Sequence, residues 1–495
     1  MRRKVYPALA ALALAALPLT AHAATKDTVT LGMILEPPGL DPTIAPAAAI
    51  GEVVHYNIFE GLMKIERDGS VKPLLAAGEP TISADAKTYT FHLRKGVKFQ
   101  NGEPLTSADV KFTFERDGAA TSTNKEKTVF QNIAAIDTPD PLTVVLHLKE
   151  TNPNLLFNLG ENTGVILEPK SAATDATQPV GTGPYKLENW VKGSSITLVK
   201  WDGFRDAAHI RLKKATFRII NDAAAQVSAL LAGDVDAFPR FGSLDAIKQF
   251  QHDPRFTVTE GSTEGKTIVA INNKRKPFDD VRVRRALAYA INRKAVIDAA
   301  SNGMGKPIGS HYTPNDPYYI DLTGTYPYNP RKAKALLKEA GVKTPLAITL
   351  KLPPPPYSRL AGEVVAAELA KVGINAKIEN VEWAQWLSNV FKGKNYDLTI
   401  ISHVEPRDLA IYANPNYYFQ YDSPKFREIY AKLSTTTNPA ESRKWTEAAQ
   451  RQLAEDAVNV YLYVLPAVTV ARKGLKGLWR NSPIFANDLS AVHWE

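Results

Sequence analysis

Between residues 329 and 402 the apolar residues switch repeatedly between a helical period and a period of two. Asn329 caps a helix, Pro330 takes its first position, and the helix ends before Gly341. Leu346, Ile348, Leu350 and Leu352 then alternate as a strand. After Pro353–Pro356 a helix runs to Val372 and stops at Gly373. Ile374, Ala376 and Ile378 alternate again, Trp383 to Phe391 reads as a helix, and Asp397–Ser402 as an apolar strand. Such repetition implies parallel strands joined by right-handed crossovers. The last third of the chain is therefore committed to an α/β sheet.

The preceding residues are organised differently. Residues 28–35 alternate as a strand ended by Pro37-Pro38-Gly39, and Ile50–Leu62 reads as a helix. Tyr89, Phe91 and Leu93 alternate with polar residues, Asn101-Gly102 signals a turn, and Thr106 or Ser107 caps a helix carrying Asp109 in its first turn. A strand at 142–148 follows Pro139-Asp140-Pro141, so roughly 69–177 reads as one α+β unit. Strands are expected at 185–190, 195–200 and 217–220, a helix at 222–232, and strands at 266–273 and 458–471. Asp279 is the expected cap of the helix opened by Pro277-Phe278-Asp279-Asp280.

The N-terminus reads as an export signal. Arg2, Arg3 and Lys4 precede an Ala/Leu-rich run with Pro18 near its end, and Ala21-His22-Ala23 has the small-residue pattern of a cleavage site. The run is shorter than the ~20 apolar residues a membrane span needs. Cleavage after Ala23 and a periplasmic location are expected. The remaining length exceeds what one hydrophobic core supports, so at least two domains are expected. Sixty Lys+Arg stand against 51 Asp+Glu without a basic run, which argues against nucleic-acid binding. The chain has no Cys, which excludes disulfides, thiolate metal sites and a Cys nucleophile.

Motifs for catalysis and cofactors fail on inspection. Gly181-Thr182-Gly183 lacks the third glycine of a dinucleotide fingerprint and precedes a strand. Gly261-Ser-Thr-Glu-Gly265-Lys266-Thr267 is one residue short of a phosphate loop, and a strand follows where a helix is required. The nine His residues do not pair at metal-ligand spacing, and there is no G-x-S-x-G elbow. No enzyme activity, cofactor or metal is expected; an exported hydrolase is the remote alternative.

Seven segments together resemble one family. They are Glu36–Pro42, Phe59–Leu62, Tyr89–Gly102, Thr106–Phe112, Gly181–Tyr185, Asn272-Asn273 with Phe278–Leu287, and Tyr328–Ala333. In this order and spacing they are similar to the family 5 extracellular solute-binding proteins, the dipeptide and oligopeptide-binding group of ABC importers. The resemblance implies an α/β, two-lobed periplasmic binding protein fold, type II-like, with an extra α+β domain. Lobe I is expected from 24–68, 178–270 and 466–495, the extra domain from 69–177, and lobe III from 271–465. Chain crossings near 270 and 466 would form a hinge, and closure would enclose a solute between lobes I and III. The implied partners are a small solute, a peptide first, and an ABC permease/ATPase complex; a monomer is expected. An opine, glycoside or modified amino acid is the alternative solute.

The resemblance also implies where a ligand would sit. In peptide-binding relatives the strand after the helix matching Trp383–Phe391 leads to a Trp and then an Asp that receives the peptide amine. Here the stretch is His403-Val-Glu-Pro-Arg-Asp408, with His403 at the Trp position and Pro406 at or near that of the Asp. Glu405 or Asp408 can substitute as an amine anchor, and Arg407 can clamp a carboxylate. Trp383, Trp386 and Tyr417 are candidate aromatic contacts. Thr43, Pro46 and Ala47 belong to a loop that lines the cleft in relatives. Core packing and an exposed polar loop are the competing readings of these residues.

Overall fold

The computed structural model describes residues 26–45, 47–436 and 438–495. The expected signal and its cleavage site lie outside the described residues, as does Pro46. No described helix is long and apolar enough to cross a membrane.

Among the described residues one 11-stranded sheet runs through both lobes. At one end Leu346–Leu352 pairs in parallel with Ile374–Asn380 and Leu398–His403. At the other end Thr28–Met33 pairs in parallel with Lys214–Ile219, which continues antiparallel into Ser195–Lys200 and Tyr185–Val191. Two long antiparallel strands, Phe256–Ile271 and Val460–Arg472, join the ends. Their ladder breaks between Ser262 and Lys266, where Ser262 faces Pro466 and Lys266 faces Val464. This irregularity falls a few residues before 270, where the resemblance implies a crossing. Pro466 has no N–H to donate to a ladder, and Gly265 relaxes the backbone, so the interruption has a local cause.

The buried apolar residues gather around the elements that carry them. Helices Val281–Ala290, Pro330–Glu339 and Pro356–Ala370 cover the sheet end that includes Leu350, Leu398 and Ile400. A second cluster centres on Leu31, Phe217 and Ile196. A third packs the separate four-stranded sheet of residues 81–148 against helix Ser107–Gly118 through Phe91, Leu146 and Phe114.

Several local expectations need correction. The helix expected over Ile50–Leu62 spans only Ala48–Val54. Beyond it Tyr56 takes φ 63°, and the carbonyls of Asn57 and Ile58 accept from Tyr185 and Gly183. Pairing with the 181–185 turn thus replaces the helix. Asp280, not Asp279, caps helix Val281–Ala290 through a 2.8 Å bond from the Arg282 N–H. Asp279 contributes its carbonyl toward Arg284 instead. Residues Ile133–Asp140 form a strand that hydrophobic alternation did not reveal, because most of its side chains are exposed. Trp383–Phe391 does turn helically, but from Trp386 to Lys392 as a π-helix.

Candidate functional site

The break in the linking strands opens a cavity of about 240 Å³ between the lobes. Thr263, Glu264 and Gly265 line it from one linking strand, and Leu465–Val468 from the other. Ile34, Arg240 and Phe241 approach from the lobe of the N-terminal strand, Lys125 and Glu161 from the α+β unit, and Val404 and Pro406 from the loop after Leu398–His403. A site built from separate units at a strand break is a normal place for a ligand.

The walls are apolar with a few charged groups. Phe241, Ile484, Phe485 and Val404 supply apolar surface. Arg240 pairs with Glu52, and its guanidinium lies 5.0 Å from the Phe485 ring centre. Glu264 is 9% exposed, and both of its carboxyl oxygens receive the Thr313 hydroxyl, at 2.9 and 3.1 Å. Burial raises the Glu264 carboxyl to about 7 against the pull of Lys266. Glu161 is likewise raised to about 7 by burial, with Glu126 adding to the effect.

Behind the cavity wall the loop forms a tight polar network. Asp408 Oδ1 lies 3.3 Å from Lys266 Nζ, and Oδ2 lies 3.1 Å from His311 Nε2. Lys266, 1% exposed, also donates to the Glu405 carbonyl at 2.6 Å. His311 Nδ1 meets the Tyr412 hydroxyl at 2.8 Å, and His403 Nε2 meets that of Tyr418 at 3.0 Å. Burial lowers His403 to about 3 and also lowers His311. A neutral His311 donating from Nε2 to Asp408 and accepting at Nδ1 from Tyr412 satisfies both nitrogens. Burial works against the Asp408 carboxylate, but His311 and Lys266 outweigh it and hold it below the ordinary range.

His311, His403 and Asp408 offer ligand atoms within 4.8 Å of one another, a spacing that suits a metal ion. The Lys266 ammonium already compensates Asp408, however, and a dication there would meet an unshielded buried cation. The arrangement is therefore best read as a hydrogen-bonded support for the loop.

None of the described residues proposed as ligand contacts from sequence lines the 240 Å³ cavity; their loop reaches it through Val404 and Pro406. Glu405 is exposed, while Asp408 and His403 face inward. Arg407 adopts φ 54°, pairs with Asp316 at 2.7 Å and stacks 4.5 Å from the Phe157 ring centre, across to the α+β unit. It lines a second cavity of about 560 Å³, with Phe157, Tyr89, Tyr312 and Tyr318. Trp386 is 5% exposed and donates to Thr399 Oγ1 at 3.0 Å, whereas Trp383 is 45% exposed and stacks on it at 5.4 Å. Tyr417 is half-buried against Phe391. Thr43 is buried, with its hydroxyl shared between Asp41 and Arg116 of helix Ser107–Gly118, and Ala47 opens helix Ala48–Val54. Sequence reading passed over Glu264 and Glu161. The signal for Glu264 lay in Gly261–Thr267, a run with a charged residue that no phosphate-loop chemistry explains.

Comparison with known proteins now decides the family. Residues 70–425 match the model for bacterial extracellular solute-binding proteins, family 5. The chain belongs to this family. Di/tripeptide-binding protein 1 of Pseudomonas aeruginosa strain UCBPP-PA14 is 31% identical over 435 residues, 81% of this chain and 80% of that protein. The unliganded open form of the periplasmic murein tripeptide binding protein MppA superposes with a TM-score of 0.84 at 21% identity, over 95% of this chain and 97% of that one. The binding protein AgaA from A. tumefacien R10, in complex with agropinic acid, superposes with a TM-score of 0.73 at 27% identity, over 94% and 98%. The family 5 chain described here thus has the mixed α/β, two-lobed architecture of its relatives, and its family is one of solute-binding proteins.

Proposed function

We propose that the chain captures short peptides in the interlobe cavity and delivers them to an ABC permease/ATPase complex in the inner membrane. The observation that carries this is the cavity itself, which opens at the break in the linking strands, where the two lobes and the α+β unit meet. Its 240 Å³ is below the ~300–1,000 Å³ of common small-molecule pockets, which favours a ligand of few residues. The reading draws further support from the relative named as a di/tripeptide-binding protein. In it, the divisions 24–68 with 178–270 and 466–495, 69–177, and 271–465 act as lobe I, extra domain and lobe III. Closure gives the permease a difference to recognise between loaded and empty protein. The chain works as a monomer in the periplasm, after cleavage following Ala23. The loop residues His403–Asp408, with Trp383, Tyr417 and the Thr43–Ala47 loop, then shape the cleft in its closed form.

A non-peptide solute is the second reading, and one observation favours it. Asp408, a substitute for the amine anchor of peptide-binding relatives, is already occupied by Lys266 and His311. The relative AgaA carries agropinic acid. Mass spectrometry of the ligand retained through native purification distinguishes the readings. A di- or tripeptide supports the first, and an opine or sugar conjugate sinks it.

A further inference from the structure

Two carboxyl groups line the interlobe cavity without an ion pair among the described residues. Glu264 lies in the interrupted stretch of the linking strand, where its backbone is released from the ladder. Its side chain is held by Thr313, and among the described residues no Lys, Arg or His approaches it within ion-pair distance. Lys266 stands two residues on, but its ammonium is turned to Asp408 and the Glu405 carbonyl. Glu161 enters the same cavity from the α+β unit; among the described residues its carboxylate accepts from Asn158 Nδ2 alone, at 3.2 Å, and Lys125 and Arg407 act on it from farther away. Arg240, the guanidinium on the wall, is engaged by Glu52.

A buried carboxyl with no counter-charge is costly to keep ionised. A protein that retains one at a cavity surface has a place for a cation that arrives from outside. The carboxylates of the neighbouring loop do not offer this. Asp408 is already paired with Lys266 and His311, and Glu405 is not part of the cavity wall. We infer that Glu264 forms the subsite that binds a positively charged group of the solute, a primary ammonium above all. This inference rests on the peptide reading and assigns its cation anchor to the linking strand.

The subsite has a proton-coupled signature. Glu264 has Lys266 on its own strand and Asp316, with its partner Arg407, on neighbouring segments, and shares the cavity lining with Lys125, Glu161 and Arg240. With burial raising Glu264 to about 7, its protonated and ionised forms are both populated at pH 6.5. Arrival of an ammonium favours the carboxylate, so binding releases a proton there.

Calorimetry at pH 6.5, in buffers of different ionisation enthalpy, tests the assignment. The titrants are unmodified di- and tripeptides and their N-acetyl counterparts. The proteins are the full chain, Glu264→Gln and Glu161→Gln, each checked for a retained unfolding temperature. We expect free-amine peptides to bind at least ~10-fold more tightly than acetylated ones, with proton release. Glu264→Gln reduces the preference to under ~3-fold and removes most of the proton release. Glu161→Gln, which keeps Glu264 intact, retains most of the preference and the proton release. A Glu264→Gln variant that keeps both preference and proton release overturns the assignment and leaves the peptide reading standing. So does tight peptide binding that ignores acetylation. If no peptide binds the full chain, the peptide reading and the assignment fall together.

Discussion

Asp408 and Lys266 form a buried ion pair, 3.3 Å apart, that joins the loop after Leu398–His403 to the linking strand Phe256–Ile271. The ammonium is 1% exposed and also holds the Glu405 carbonyl. The loop that forms part of the cavity wall is thus fastened from behind. Removing the carboxylate leaves a buried ammonium and the His311 N–H without their partner.

Asp408→Ala is therefore expected to destabilise the protein by about 3–5 kcal/mol, the usual cost of stranding one member of a buried pair. Urea unfolding monitored by circular dichroism reads this directly. A loss below about 1 kcal/mol would show that the pair is dispensable.

Acid is expected to weaken the same region in a defined window. His403 is lowered to about 3 in the folded protein, against an unfolded value near 6.5. The unfolded chain therefore binds more protons between those values, so the His403 contribution is complete above about 6.5 and is lost as pH falls toward 3. Asp408, also depressed, adds its own loss below about 4. His403→Gln should flatten stability between pH 6.5 and 4 relative to the parent. An unchanged slope across that window would contradict the burial of a neutral imidazole.

Asp117 has the opposite sign. It is 1% exposed, burial raises it to about 8 against the pull of Arg116, 3.7 Å away, and among the described residues neither carboxyl oxygen has a hydrogen-bond partner of ordinary geometry. The folded state keeps it protonated while the unfolded state ionises above about 4, so stability is lost as pH rises from 4 to 8. Asp117→Asn is expected to gain at least about 1 kcal/mol at pH 8 relative to its effect at pH 5. Equal effects at both values would refute the assignment of protonation.

The two tryptophans should separate by role. Trp386→Phe loses the bond to Thr399 and leaves a buried hydroxyl partner, a cost of about 1–3 kcal/mol in stability. Trp383→Ala, at an exposed position, should change stability by less than about 1 kcal/mol. If Trp383 meets the solute on closure, that same variant lowers affinity, measured by calorimetry with whichever solute the chain retains. Unchanged affinity removes Trp383 from the site.

Much of the fold was legible because it rests on local signals. Asn329 with Pro330 at a helix start, alternation through Leu346–Leu352, and the Asn101-Gly102 turn each bring their structure with them. Ile133–Asp140 was missed because an edge strand with exposed side chains carries little alternation. The helix after Val54 was overextended because Asn57 and Ile58 pair with residues more than a hundred positions away.

The sequence by itself determined the family and the α/β class, since periodicity, caps and ordered family segments are written into neighbouring residues. It did not determine which charged groups are paired. In one dimension Asp408 was a candidate anchor and Glu264 was passed over. Only the tertiary structure brings Lys266 and His311 against Asp408 and places Glu264 on the cavity wall with Thr313 bonded to its carboxyl. The physical reason is that the state of a carboxylate depends on burial and on partners from distant segments, and neither is a property of its own stretch of chain.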